Sequence, residues 1–89
     1  MFILNDMDTS KSHILLSLGG LVRQRRTELG ISQEELGYRA KLDRTYISGI
    51  ERGVRNPTLT ALVSLAEGLE VTVAGLVQNL EVEAYLADD

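Results

Sequence analysis

The sequence predicts an all-α fold, a compact five-helix bundle in which two short helices are joined by a tight turn. Two observations predict it: hydrophobic residues recur at intervals of three and four along most of the chain, and helix-capping residues precede several of these segments. The 89 residues allow one domain with one modest core. We divide the chain into a flexible leader over 1–11, a domain over 12–80, and an acidic C-terminal extension over 81–89 that can continue the last helix.

The first helix is expected to begin at about Ser12 and to end at Gly30, which supplies a stop. Between them the apolar residues at helical spacing are Ile14, Leu18, Leu21, Val22 and Leu29. Gly19 and Gly20 each weaken this helix by about 1 kcal/mol relative to alanine, so its first turns are expected to fray or to start later. The residues before Ser12 show no clear period, and Met7 is an alternative start of the chain.

Two short helices with a tight turn between them form the centre of the chain. Ser32 followed by Glu35 is a capping box, which predicts a helix starting at Gln33. Asp43 is the next cap, because its carboxylate can accept hydrogen bonds from free backbone N–H groups at the start of another helix. The connection over 41–43 has the length that a helix-turn-helix motif needs.

The third helix, over residues 44–52, has one apolar side and one polar side. Ile47 and Ile50 lie three apart and are predicted to be buried. The opposite side carries Arg44, Thr45, Ser48, Gly49 and Arg52. A slim helix with hydrogen-bond donors along its outer side is suited to enter the major groove of double-stranded DNA. This segment is therefore the predicted recognition helix.

The fourth helix is expected from about Leu59 to Leu69, with either Thr58 or Asn56 followed by Pro57 at its start. Its predicted core side consists of Leu59, Leu62, Val63, Ala66 and Leu69.

Thr72 caps a fifth helix that carries an apolar stripe. The stripe consists of Val73, Leu76, Val77 and Leu80. A domain of this size needs only part of it in the core, so the surplus favours a dimer interface. The alternative is that the whole stripe covers the core of the monomer.

The net charge of −4 hides an uneven distribution. Residues 22–56 contain eight basic and five acidic side chains, a local charge of +3, and the remainder carries −7. Contact with phosphate depends on the local field, so the acidic total does not argue against DNA binding. The alternative is that these arginines form an ordinary solvated surface.

Residues from Leu18 to about Val77 resemble the Cro/C1-type (XRE) helix-turn-helix family of bacterial and phage regulators. The resemblance rests on the pattern LG…R…G-ISQEEL…A…LDRTYISGIERG…NPTL, with its flanking pieces in register. The stretch from Leu42 to Gly53 is also similar to the controller proteins of restriction–modification systems. The resemblance to the Cro/C1-type family implies a lambda-repressor-like DNA-binding fold. One departure is Arg25, where the family usually has leucine.

The resemblance also implies roles for residues around the third helix. Arg26 matches a family arginine that forms a structural ion pair with the glutamate at Glu51, tying the first helix to the end of the third. Gln33 matches a family glutamine that binds a phosphate and supports the recognition helix; its alternative role is only to fill the helix start. Arg55 and Asn56 lie on the loop with which the family commonly contacts the DNA backbone.

Residues on the third helix are expected to read bases. Arg44 is the predicted base-reading residue, because a guanidinium can donate twice to guanine O6 and N7. Thr45 and Ser48 can reach bases or phosphates, and Thr45 can also meet a thymine methyl group. Gly49 permits close approach to the DNA.

Other residues are expected to contact phosphate. Arg52 and Arg55 are assigned this role, which fixes the register without reading sequence. Tyr46 either packs at the helix edge or places its hydroxyl on a phosphate.

These observations predict a sequence-specific transcriptional regulator of the repressor or controller type. It is expected to bind a two-fold operator as a homodimer, with half-sites about one helical turn, ~34 Å, apart. The alternative is an antitoxin-like protein-interaction module that binds a small partner protein through helix five. An enzyme is not expected, because no carboxylate pair lies beside a nucleophile or a pocket signal.

No cofactor or metal is expected, because the chain has no cysteine and its single histidine, His13, cannot form a zinc site alone. The opening residues lack the basic start and apolar length of a signal peptide. No apolar run approaches the ~20 residues that span a membrane. We therefore expect a cytoplasmic protein without membrane contact and with no evident small-molecule ligand.

Overall fold

The computed structural model describes residues 3–78 and 80, with side chains from residue 13 onward. This part of the chain contains no strand and consists of five helices: α1 (Ile3–Leu29), α2 (Gln33–Ala40), α3 (Arg44–Glu51), α4 (Leu59–Gly68) and α5 (Val73–Val77). The predicted all-α, five-helix fold is confirmed, and the extension expected over 81–89 lies outside the described residues. No helix in the described part is both long enough and apolar enough to cross a membrane.

α1 begins earlier than predicted. Its backbone is helical from Ile3, so the expected start near Ser12 was wrong, and residues 3–11 of the predicted leader belong to the helix. The physical reason is that residues 3–18 contain neither glycine nor proline, so nothing in this stretch interrupts helical hydrogen bonding. The predicted end was correct, since Gly30 follows α1 with a φ of +70°.

Four helix starts are capped by side-chain oxygens. Ser32, Asp43, Thr58 and Thr72 each accept a hydrogen bond from a backbone N–H in the first turn that follows. Of the two starts considered for α4, the structure uses Thr58, whose Oγ1 accepts from the Ala61 N–H at 3.2 Å. A cap contributes about 1 kcal/mol, so local chemistry sets these boundaries.

One core joins the five helices. It consists of Leu18, Val22, Leu36, Ile47, Ile50, Leu65, Leu69 and Leu76. α3 packs against α1 and α2, α4 packs against α2, and α5 contacts both α1 and α4. Because α3 is held from two sides, the core fixes its orientation.

The core side of α4 differs from the prediction. Leu59 and Val63 were expected inside, but they are 71% and 42% exposed, while Leu65 is fully buried. The reason is the close contact of α4 with α2: a Cβ at Gly68 would lie 3.0 Å from Leu36 Cδ1. Both sides of α4 are apolar, so the spacing of residues could not separate them.

Arg25 replaces the expected leucine without leaving a buried charge unpaired. Its Nε donates a hydrogen bond to the backbone oxygen of Leu69 at 2.9 Å. Leu69 caps the C-terminal end of α4, where a cation is favoured by the helix dipole. Arg25, which departs from the family pattern, thus forms a polar link between α1 and the end of α4.

Candidate nucleic-acid interface

α3 directs its polar side outward because its apolar side is buried in the core. Ile47 and Ile50 are 0% exposed. The exposed side chains opposite them are Arg44, Thr45 and Arg52, and Ser48 is half-buried. The helix therefore presents a row of hydrogen-bonding side chains at the surface.

A glycine on α1 sets how closely α3 lies against the body. A Cβ at Gly19 would lie 2.5 Å from the backbone oxygens of both Ile50 and Glu51. Any larger residue would push α3 away, because these contacts are to backbone atoms. Gly19 therefore determines the position of the end of the recognition helix.

The turn between α2 and α3 is compact. The Leu42 N–H donates to the Gly37 carbonyl at 2.9 Å, and Lys41 takes a left-handed φ of 58°. A Cβ at Gly37 would lie 2.6 Å from the Leu42 oxygen, so glycine is needed for this approach. The turn places α3 directly after α2, as a helix-turn-helix requires.

Asp43 and Thr45 form a hydrogen-bonded pair at the leading end of α3. The carboxylate oxygen Oδ1 accepts from the Thr45 backbone N–H at 2.8 Å and from the Thr45 hydroxyl at 2.5 Å. These two bonds, with the hydroxyl as the larger cause, hold the pKa of Asp43 below its ordinary value. Both residues are exposed, so the pair lies beside Arg44 at the surface.

A polar cluster anchors the trailing end of α3. Arg26 donates to both carboxylate oxygens of Glu51, at 2.6 and 3.0 Å, and to the Ile31 carbonyl at 2.9 Å. The side-chain amide of Gln33 also donates to Glu51, at 3.0 Å. The cluster joins α1, the loop after it, α2 and α3 through one carboxylate. It orients the recognition helix rather than contacting solvent.

The Glu51 side chain is only 3% exposed. Burial raises the pKa of this carboxyl, but the hydrogen bonds from Arg26 and Gln33 outweigh burial, and the net pKa is lowered. The pKa of Arg26 is raised, chiefly by its hydrogen bond to Glu51. Both groups are therefore charged at neutral pH, and Gln33 is occupied by Glu51 in the absence of DNA.

The loop after α3 folds back over the helix. The aliphatic part of Arg55 lies directly on Gly49, where a Cβ would clash with Arg55 Cγ. Its guanidinium lies 5.8 Å from the centre of the Tyr46 ring, within cation–π range. Gly49 is buried, so the close approach it permits here is to Arg55, which corrects its assignment to the DNA surface. Tyr46 is half-buried and packs against the core.

The remaining predicted contacts lie at the surface. Arg52 is exposed, and its Nε donates to the Ser48 hydroxyl at 3.3 Å. Asn56 is exposed in the loop between α3 and α4. Together with Arg44 at the leading end, these residues spread hydrogen-bond donors from one end of α3 to the following loop.

The predicted dimer stripe on helix five needs a correction. Leu76 is 5% exposed and belongs to the core of the monomer, so it is not available to a partner. Val77 and Leu80 pack partly against the same core, and Val73 is half-buried. α5 uses most of its stripe internally because it closes the bundle against α1 and α4.

α4 carries an exposed apolar pair that was not predicted from the sequence. Leu59 and Val63 are one helical turn apart and both point to solvent. The signal that could have found them was the surplus of apolar residues on α4, more than one helix side needs. Among the described residues, no group of three or more histidine or acidic side chains could hold a metal ion.

Comparisons with known proteins agree with this geometry. The chain matches the helix-turn-helix family over residues 22–76. The control protein C.MunI of Mycoplasma sp is 38% identical over 63 residues, which cover 71% of this chain and 85% of that relative. The restriction-modification controller protein C.AhdI from Aeromonas hydrophila is 40% identical, with a TM-score of 0.68 over 70% of this chain and 94% of that structure.

A second controller structure contains DNA. The restriction-modification controller protein C.Esp1396I was crystallised as a tetramer in complex with its natural 35 base-pair operator. It is 40% identical to this chain, with a TM-score of 0.72, and the match covers 81% of this chain and 95% of that structure.

Proposed function

This chain belongs to the helix-turn-helix family of DNA-binding regulators, and we propose that it binds a two-fold operator as a homodimer with α3 in the major groove. Its similarity to C.MunI, C.AhdI and C.Esp1396I supports a controller-type role. Because bacterial operator DNA lies in the cytoplasm, the protein is assigned to that compartment.

The exposed polar side of α3 is the observation that carries this proposal. Arg44 lies at the leading end of the helix, where recognition helices contact base edges. Its side chain is exposed and can donate twice to a guanine. Arg52 lies at the other end and is assigned to phosphate. In this arrangement the base-reading group and the positioning group are one helix length apart.

The homodimer would use apolar surface that the monomer leaves exposed. Leu59 and Val63 on α4 provide such surface, and the partly exposed Val73 on α5 is a further candidate. The alternative function, binding of a partner protein through helix five, is disfavoured because Leu76 is buried in the core. We assign the exposed pair on α4, Leu59 and Val63, to contact with a second copy.

Selection of bound sequences from a random DNA pool tests the proposal. The wild-type protein is expected to enrich a two-fold motif, and its affinity is expected to fall steeply with salt. Arg44→Ala is expected to lose about 1–3 kcal/mol of discrimination at one base pair of each half-site. Arg52→Ala is expected to weaken binding to all sequences alike and to reduce the salt slope by about one.

Two outcomes would contradict this assignment. A pool without any enriched motif would exclude sequence-specific binding. Equal losses on selected and random DNA for both variants would show that Arg44 does not read a base.

A further inference from the structure

The hydrogen bonds at the leading end of α3 determine which groups are available to a DNA base. Asp43 Oδ1 accepts both from the backbone N–H and from the hydroxyl of Thr45. A carboxylate has no proton to give, so the hydroxyl must be the donor in this bond. Asp43 is ionised at neutral pH even at the ordinary pKa of an aspartate, and the bonds from Thr45 lower that pKa further, so the bond keeps this direction.

Only acceptors remain for any further partner of these two residues. The Thr45 hydroxyl has a single proton, and it is given to Asp43, so only lone pairs on its oxygen are left. The second carboxylate oxygen, Asp43 Oδ2, receives no hydrogen bond from any residue in the described part of the chain. Arg44, which lies between them in sequence, offers only donors.

We propose that Asp43 and Thr45 act as an acceptor pair that selects bases carrying an amino group in the major groove. Asp43 would face a cytosine, and Thr45 would face an adenine or a cytosine. The inference rests on the proposed function and deepens it, because it assigns specificity to Asp43, which the sequence identified only as a helix cap.

The chemistry of the groove supports this choice. Cytosine N4 and adenine N6 are donors, whereas guanine and thymine present acceptors at their major-groove edges. An acceptor placed against an acceptor is repelled, and the charge on Asp43 increases that repulsion. Rejection of guanine and thymine therefore contributes to specificity together with attraction to the amino bases. With Arg44 donating to guanine, each half-site should combine one guanine with neighbouring amino-bearing bases.

Two variants of Thr45 separate its oxygen from its methyl group. Thr45→Val keeps the shape and the methyl group but removes the acceptor, and it is expected to lose about 5- to 150-fold in discrimination at one base pair. Thr45→Ser keeps the acceptor and is expected to retain the preference. The opposite result, with Ser losing it and Val retaining it, would assign Thr45 to a thymine methyl group and overturn its part of the proposal.

Two variants of Asp43 separate base reading from helix capping. Asparagine and serine cap helices about as well as aspartate, so α3 should remain folded, and a thermal melt checks this. Asp43→Asn replaces the free acceptor with an amide donor and is expected to shift the preference from cytosine towards guanine or thymine. Asp43→Ser is expected to lose the preference without a shift.

Sequence selection and affinity measurements on all four variants and the wild type complete the experiment. If Asp43→Asn binds every sequence more tightly by one common factor, with an unchanged motif, Asp43 acts only as a cap and a general repulsive charge, and its assignment falls. A wild-type motif that persists in all four variants overturns this inference while the proposed function stands. Absence of a motif in the wild type overturns both.

Discussion

Arg26 and Glu51 form an ion pair that is much more buried than the sequence suggested. A semi-exposed pair contributes only ~0–1 kcal/mol. In the structure the side chains are 15% and 3% exposed, and Gln33 adds a further hydrogen bond to the carboxylate. Removing one partner of a buried pair costs roughly 3–5 kcal/mol, because the other charge stays without water. The pair therefore stabilises the domain as well as orienting α3.

Glu51→Gln is expected to lower the free energy of unfolding by roughly 3 kcal/mol at pH 7. The wild-type carboxyl has a lowered pKa in the folded state. Its stabilising effect is therefore complete above the unfolded-state pKa, near 4.3, and is lost as the pH falls through the lower folded-state value. The difference in free energy of unfolding between variant and wild type should shrink as the pH falls from 5 to 3. Urea unfolding at several pH values measures it.

Glu28→Gln is the matched control for this titration. Glu28 also contacts an arginine, Arg25, but at 3.5 Å and with a side chain that is 53% exposed. Glu28→Gln should lower the free energy of unfolding by no more than ~1 kcal/mol at every pH. If the gap for Glu51→Gln stayed constant down to pH 3, the ionised form of Glu51 would not be the source of the stability.

At the scale of helices, the crossing of α1 and α3 explains why one of two adjacent glycines is required. Gly19 touches the backbone of α3, whereas a Cβ at Gly20 would have nothing within 4 Å. Gly19→Ala is therefore expected to destabilise the domain by about 1–3 kcal/mol through overpacking. Gly20→Ala is expected to stabilise it by up to about 1 kcal/mol, because alanine favours helix.

Thermal melts of the two glycine variants measure this difference. For a domain of this size, 1 kcal/mol corresponds to about 4–8 °C in Tm, so the two variants should move in opposite directions. Gly19→Ala should also weaken operator binding, because the end of α3 is displaced. Equal changes in Tm for both variants would contradict the close crossing.

Features set by local signals could be predicted from the sequence. Features set by contact with a distant part of the chain could not. The starts of α2 and α3 follow from caps at Ser32 and Asp43, and each cap acts within one turn. The prediction that Leu59 lies on the core side of α4 was wrong, because which side of α4 is buried depends on where α2 lies. The contact of Arg55 with Gly49 was also missed, since the loop folds back in a way that no periodic pattern encodes.

At the scale of the whole molecule, charge is uneven along the chain: the segment that contains the proposed DNA-contacting residues is basic and the remainder is acidic. The local charge of +3 over residues 22–56 includes Arg44, Arg52 and Arg55, while Glu67 and Glu70 on and after α4 are exposed. A dimer formed through Leu59 and Val63 would join two copies by exposed apolar side chains of α4, outside α3 itself. The proposed function requires that this dimer leave both α3 helices accessible to the two halves of one operator.

Leu59→Asp is expected to weaken the dimer by at least about tenfold in its dissociation constant, because each copy loses an exposed leucine from the proposed interface. The fold should be preserved, since an acid in the first turn of α4 is favoured by the helix dipole. Operator affinity should fall together with dimerisation, because both half-sites must be occupied. Sedimentation velocity measures the dimer, and a thermal melt at low concentration measures the fold.

Thr60→Asp places the same charge one residue further along the first turn of α4, on an exposed position that is already polar. It should leave dimerisation nearly unchanged if apolar contact at Leu59 holds the copies together. An equal effect of both variants would point to charge repulsion instead, and an undiminished dimer with Leu59→Asp would exclude this side of α4.

Leu76→Ala should differ from both Leu59→Asp and Thr60→Asp, because Leu76 belongs to the core. It is expected to lower the free energy of unfolding by about 2–5 kcal/mol.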